Sequence, residues 1–358
     1  MKILRLMQNY YPLLGGVEIA TRQISQRLVR DGFDVEVVCE RVEGTAEHET
    51  VDGVEIHRVF GFNLPKIRYH NESILPKMML SAISNDADII HVHATTRFIS
   101  WLTLFSSKPT VLTTHADPSS TFYLFKGSFS ASPLKLCNRV VALTETEKQY
   151  LVNVGVKAEK IDVIPNGVTL PPMHAPSEDL SKIIVCIARL DSTHKGQDTL
   201  IKAMPKVLSV IPDIKLWICG TGNDFKKLQE MTKTLNVDRS VELKGPIDDS
   251  TKALYMKNCG LFCLPSKYEA FGNVFTEAMA YGRPIVTTRI GGIPSVVKDA
   301  ALLVPPDDPQ ALADALIKVL SNKGLADELG RRGLERVKQF DWEITVKKYE
   351  KLYESLVQ

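Results

Sequence analysis

The chain has 358 residues, 44% of them hydrophobic, and its 44 basic and 42 acidic side chains leave a formal net charge of +2. That length suits two domains with sizeable cores, and the charge balance offers no global field for nucleic acid or an anionic surface. Six scattered cysteines (Cys39, Cys137, Cys186, Cys219, Cys259 and Cys263) lie mostly in apolar runs, a pattern that suits reduced, buried thiols in a cytoplasm.

Residues 2–7 read as a strand, 17–30 as an amphipathic helix and 34–39 as a second strand. The opening Met-Lys-Ile-Leu-Arg-Leu-Met is therefore a short strand rather than a secretory leader. No run reaches the roughly 18 apolar residues that span a bilayer. Gly15-Gly16 stands between the first strand and the first helix. It is either a turn that caps the helix or a pair of backbone amides able to approach a diphosphate. It is not a G-x-G-x-x-G fingerprint, which disfavours a nicotinamide cofactor.

Further strands are expected at 54–59, 88–92, 110–114, 139–143 and 161–164, and Phe98 to Phe105 reads as a buried helix face. His91 and His93 share one face of their strand, and His115 follows the strand 110–114 at its carboxyl end. With no acidic ligand beside them, the three histidines suit a lining role better than a metal site. For His115 a capping or core imidazole remains the alternative reading.

Residues 170–181 hold three prolines in a polar context and mark a linker. Alternation restarts at 183–188, 214–219, 260–264, 284–288 and 301–304. The expected fold is α/β, with two doubly wound parallel-sheet domains, 1–170 and 171–340, facing across a cleft, and a last helix at 341–358. Arg189 closes the strand 183–188, and Lys195 precedes an amphipathic helix carrying Leu200, Ile201, Met204, Val207 and Leu208. Ligands in open α/β sheets bind beyond the carboxyl ends of strands, so these two cations sit either at a diphosphate or on an ordinary surface loop. Cys259 and Cys263 occupy a buried-strand pattern rather than a metal-ligand one.

The segment Glu269-Ala-Phe-Gly-Asn-Val-Phe-Thr-Glu277 opens a helix expected over about 274–281, ended by Gly282 and Pro284. Backbone amides at Phe271, Gly272, Asn273 and Val274 then face electron-rich oxygens. Gly272 lets the backbone come close, and Glu269 and Glu277 reach two groups of one ligand. A phosphate joined to a polyhydroxyl group uses all of these features.

In order and spacing these segments resemble the retaining glycosyltransferases of family 4, which have the GT-B fold, over essentially the whole chain. Asn9-Tyr-Tyr-Pro-Leu-Leu-Gly-Gly-Val-Glu18 is similar to the family's first loop, and His115 to the histidine of its N-terminal domain. Ile164-Pro-Asn-Gly-Val168 matches the segment that closes that domain, and Arg189 and Lys195 resemble the diphosphate-binding pair. Glu269-x7-Glu277 is the most specific motif, and Ile285 to Pro294 follows in the usual order.

The resemblance implies a nucleotide-diphosphate sugar as substrate and needs neither a cofactor nor a metal, the cations replacing the latter. It implies His115 beside the reacting sugar, Glu269 on sugar hydroxyls and Glu277 on ribose hydroxyls. Gly15 and Gly16 would then approach the donor diphosphate. It also implies a lipid-linked or glycan acceptor, and a last helix that returns to the first domain. Ser295 stands where the family often has Glu. Gly220-Thr-Gly-Asn223 and Lys244-Gly-Pro-Ile247 are nucleotide-side loops that leave base and sugar open. Pro65 to His70 and Thr121 to Lys126 mix aromatics with cations, which suits either peripheral membrane contact or ordinary loop edges. The expected location is the cytoplasm, free or at the inner face of the membrane. The alternatives are an epimerase or hydrolase on the same fold, and a non-catalytic nucleotide-binding relative.

Overall fold

A computed structural model describes residues 1–13, 15–63, 73–74, 76–93, 97–104, 106–115, 131–172 and 180–357. The aromatic-cationic stretches 65–70 and 121–126 lie outside them. The chain forms two units, Met1–Gly167 with Trp342–Gln358, and Val168–Asp341.

The first unit begins with β1 (Lys2–Met7), α1 (Gly16–Arg30), β2 (Asp34–Glu40), β3 (His48–Val51) and β4 (Val54–Val59). A short pair, β5 (Phe62–Asn63) and β6 (Ser73–Ile74), and α2 (Pro76–Ile83) lead to β7 (Ile89–His93). Then come α3 (Arg97–Trp101), β8 (Thr110–Thr113), α4 (Ser132–Leu136), β9 (Arg139–Ala142), α5 (Glu145–Asn153) and β10 (Ile161–Val163). Its eight-stranded sheet has the order β10-β9-β8-β7-β1-β2-β4-β3. Within this sheet, among the described residues, only the β3–β4 pairing is antiparallel. β3 escaped the sequence reading because its residues His-Glu-Thr-Val are half-buried or exposed and carry no apolar alternation.

The second unit holds β11 (Leu180–Ile187), α6 (Ser192–Lys195), α7 (Gln197–Val210), β12 (Lys215–Cys219), α8 (Phe225–Thr234), β13 (Val241–Gly245) and α9 (Asp249–Asn258). It continues with β14 (Cys259–Leu264), α10 (Asn273–Ala280), β15 (Ile285–Thr288), α11 (Ile293–Val297), β16 (Ala301–Val304), α12 (Pro309–Leu320) and α13 (Lys323–Val337). The sheet order is β13-β12-β11-β14-β15-β16, parallel throughout. β13 was missed for the same reason as β3: an edge strand with Glu242 and Lys244 looks like a loop. β11 starts at Leu180, inside the expected linker, because Leu180 pairs with Cys259 ahead of a register shift.

Both sheets reverse strand order at one place, between β1 and β7 and between β11 and β14. Such switch points open crevices at the carboxyl ends of the flanking strands. The last helix, α14 (Trp342–Val357), buries Trp342, Val346, Tyr349, Leu352 and Tyr353 in the first unit's core. At roughly 1.5–3 kcal/mol for each buried large side chain, it is part of that core rather than an appendage. Among the described residues no helix is long and apolar enough to cross a membrane.

Candidate active site

In the second unit, Arg189 follows β11 and Glu269 follows β14, on the two sides of the switch point. Backbone hydrogen bonds join the loops. His194 O accepts from Lys267 N at 2.8 Å and from Tyr268 N at 3.1 Å, and Glu269 O accepts from Gly292 N at 3.1 Å. Gly196, at φ +67°, makes the close approach feasible, because a Cβ there would lie 2.0 Å from Pro265 O. Lys195 Nζ therefore donates to Glu269 Oε2 at 2.7 Å, although 74 residues separate them. Both side chains are largely buried, 21% and 12% exposed, so the pair is screened far less than a surface one.

Arg189 is 68% exposed and touches Asp191 at 3.2 Å. Gln197, fully buried, donates to the Arg189 carbonyl at 2.8 Å. Leu190 N donates to Thr221 O at 2.7 Å, and Gly220 N to Gly245 O at 2.7 Å. The glycine loop at 220–222 thus braces the loop that presents Arg189.

α10 begins as the spacing predicts, one residue earlier. Gly272 is its N-cap at φ +78°, where a Cβ would meet the Phe275 ring at 2.5 Å. Asn273 and Val274 are half-buried in the first turn. Phe271 is buried with its ring edge-on to Phe340 at 5.6 Å, so it offers a ligand only its backbone. Glu277 accepts from Lys252 Nζ at 3.1 Å. Burial pushes the Glu277 carboxyl up and Lys252 opposes that rise. Lys252, which the sequence reading missed, sits on α9 with no motif of its own. Ser295 lies in α11, where its carbonyl accepts from Arg336 at 2.8 Å.

In the first unit, Gly15 caps α1 and Gly16 opens it. The Glu18 carboxylate already lies at this helix start, hydrogen-bonded to the amides of Gly15 and Glu18, with burial raising its pKa. The anion site at α1 is thus held by the chain's own carboxylate.

His115 follows β8 at φ +48°, a left-handed conformation rare outside glycine. Its Nε2 lies 2.7 Å from His93 Nδ1. His91 Nδ1 lies 2.7 Å from the Tyr353 hydroxyl and its Nε2 2.8 Å from Thr113 Oγ1. The histidines hydrogen-bond one another and their neighbours instead of converging on one point. Burial pushes the His91 and His93 pKa values well down. Burial and the Arg5 charge lower His115 to about 3, so all three are neutral at pH 7. Arg5 is fully buried, and among the described residues its side chain donates only to Tyr353, at 3.1 Å.

Asp86-Ala87-Asp88 has the D-x-D spacing of many metal motifs. Lys2 occupies it, with Nζ 2.7 Å from Asp86 and the backbone N 2.8 Å from Asp88. Cys259 and Cys263 are buried, and burial raises both thiols, Cys259 to about 12.

Residues 174–336 match the profile of the glycosyl transferases group 1, and residues 14–170 that of glycosyltransferase family 4. A phosphatidyl-myo-inositol mannosyltransferase of Mycobacterium leprae is 25% identical, over 99% of this chain and 97% of its own length. An N-acetyl-alpha-D-glucosaminyl L-malate synthase of Bacillus anthracis is 26% identical, over 96% of this chain and 94% of its own. Among solved structures, Anabaena HepE in complex with UDP and glucose superposes with a TM-score of 0.79 at 20% identity, covering 99% of this chain and 100% of that one.

Proposed function

The chain belongs to the family 4, group 1 glycosyltransferases and has their GT-B fold, and from that premise we propose that it moves a sugar from a nucleotide-diphosphate sugar to a lipid-linked or glycan acceptor. The proposed transfer keeps the anomeric configuration and uses no metal. The observation that carries this reading is the Lys195–Glu269 pair beside the N-terminus of α10.

Without substrate, Lys195 neutralises Glu269. A diphosphate offers the lysine a more highly charged partner, and charge-assisted hydrogen bonds to phosphate are strong. Lys195 turns to it, and Glu269 is released to accept hydrogen bonds from sugar hydroxyls. Glu277 does the same for ribose hydroxyls as Lys252 yields. The bond from the anomeric carbon to the phosphate oxygen breaks, and both electrons leave on that oxygen. Lys195, Arg189 and the α10 amides from Phe271 to Val274 stabilise the growing charge, and this electrostatic contribution dominates the rate. The acceptor oxygen bonds to the anomeric carbon on the same face, and its proton passes to the departing phosphate oxygen. His115, neutral, hydrogen-bonds a sugar hydroxyl through Nδ1 and serves neither as nucleophile nor as acid. Gly15 and Gly16 contribute amides to the diphosphate, once Glu18 gives up the Gly15 amide.

The two relatives' names carry different sugars and acceptors, so the test spans donors. Thermal shifts are measured in EDTA with UDP, GDP, ADP and their sugar conjugates, on wild type and Lys195→Ala. A rise with one nucleotide family, absent in the variant, supports the donor site. No rise with any of them overturns it. The anomeric coupling of the product then decides retention against inversion.

A further inference from the structure

Four polar side chains meet under α14 on one face of the first sheet. The parallel register sets Arg5 opposite His91 and Met7 opposite His93 across β1 and β7. Across β7 and β8 it sets His93 opposite Thr113. All four (Arg5, His91, His93 and Thr113) are fully buried. A buried polar group without a partner is costly, so their hydrogen bonds have a definite sense.

Arg5 can only donate, and its Nη2 reaches the Tyr353 oxygen at 3.1 Å. If His91 also donated to that oxygen, the phenolic proton would need an acceptor elsewhere. The arrangement that gives the phenolic proton an acceptor has Tyr353 donating to His91 Nδ1, and His91 Nε2–H donating to Thr113 Oγ1. His91 is thereby fixed in one tautomer. Its ring stacks on His93, with centroids 4.2 Å apart and planes 26° apart. His93 in turn reaches His115 Nε2 through Nδ1 at 2.7 Å. Two buried ring nitrogens, His93 Nε2 and His115 Nδ1, have no partner among the described residues.

We propose that His93 is a positioning residue: its Nδ1 occupies His115 Nε2, fixing the tautomer and ring plane of His115 so that Nδ1 alone is presented to the substrate. His91, locked by Tyr353 and Thr113, is the plate against which the His93 ring is held. The strained backbone at His115 makes such support necessary, since a side chain at φ +48° persists only where its surroundings over-determine it. The consequence for the reaction rests on the role given above to His115; the positioning itself does not.

The test compares two polar replacements in the full-length protein. In His93→Asn the amide falls at the place of Nδ1, and in His93→Gln at the place of Nε2. Histidine-selective ¹⁵N NMR reads the His115 tautomer, and steady-state kinetics with the donor found by the thermal-shift panel reads kcat and KM. We expect a single His115 tautomer in wild type and in His93→Asn, a mixture in His93→Gln, and a kcat about tenfold lower in His93→Gln alone, with donor KM within about twofold. Asn and Gln variants with the same His115 spectrum as wild type overturn the proposal. If His93→Gln does not fold, His93→Ala takes its place: a single His115 tautomer there overturns the proposal, and a mixture there with a single tautomer in His93→Asn upholds it. His115→Ala separates the two readings. Full turnover in that variant, with the tautomer still shifted by His93→Gln, removes His115 from the reaction and leaves the positioning intact.

Discussion

The two switch points share a topology and differ in their electrostatics. The second unit lines its crevice with charged side chains in breakable pairs, Lys195 with Glu269 and Lys252 with Glu277. The first sets His115 after β8, backed by the fully buried His91 and His93, three imidazoles that burial and Arg5 keep neutral. Paired charges can exchange partners with an incoming anion, and neutral rings can hydrogen-bond without adding charge. One sheet order thus supports two kinds of recognition, decided by a few residues after β11, β14 and β8.

The sharpest way to break this contrast is to discharge the second crevice. Lys195→Ala is expected to lower turnover by about 10²–10³-fold, the usual effect of losing one preorganised charge-stabilising group. A variant within tenfold of wild type rejects the exchange of partners.

The first crevice responds to acid instead. Its histidines titrate far below their unfolded value near 6.5, so the unfolded chain binds more protons whenever pH falls below that value. Stability is complete above about pH 6.5 and is lost as pH drops toward 3, by up to about 1.4 kcal/mol per imidazole per pH unit. Urea midpoints at pH 7.5 and 5.5 measure this, and His93→Gln should flatten the difference. An equal drop in that variant assigns the acid sensitivity elsewhere.

His115→Ala should reduce kcat by about 10- to 100-fold, the loss of one hydrogen bond at the transition state, without shifting donor affinity. Glu277→Ala should do the reverse, raising donor KM about tenfold with kcat within about twofold. Should each variant alter the other parameter, the assignment of sugar to one residue and ribose to the other falls.

Much of the second crevice was legible beforehand. The α10 start was announced by Gly272, and its end by Gly282 and Pro284, because glycine and proline act on the backbone locally. What Phe271 offers was not legible, since burial against Phe340 depends on a residue 69 positions away, counted from 271 to 340. Lys252 left no trace either: a lysine on an amphipathic helix looks the same whether it meets solvent or Glu277.

Legible in the chain alone were the βα alternation, two mostly parallel sheets and the carboxyl-end placement of Arg189, Lys195, Glu269 and His115. These follow from apolar periodicity and turn residues, which act over a few positions. The tertiary structure alone decided who pairs with whom. Lys195 meets Glu269 across 74 residues, and His91 meets Tyr353 across 262. Strand register and the docking of α14 set those meetings. A buried arginine among neutral histidines has no local signature, because desolvation belongs to the folded surroundings rather than to the residue.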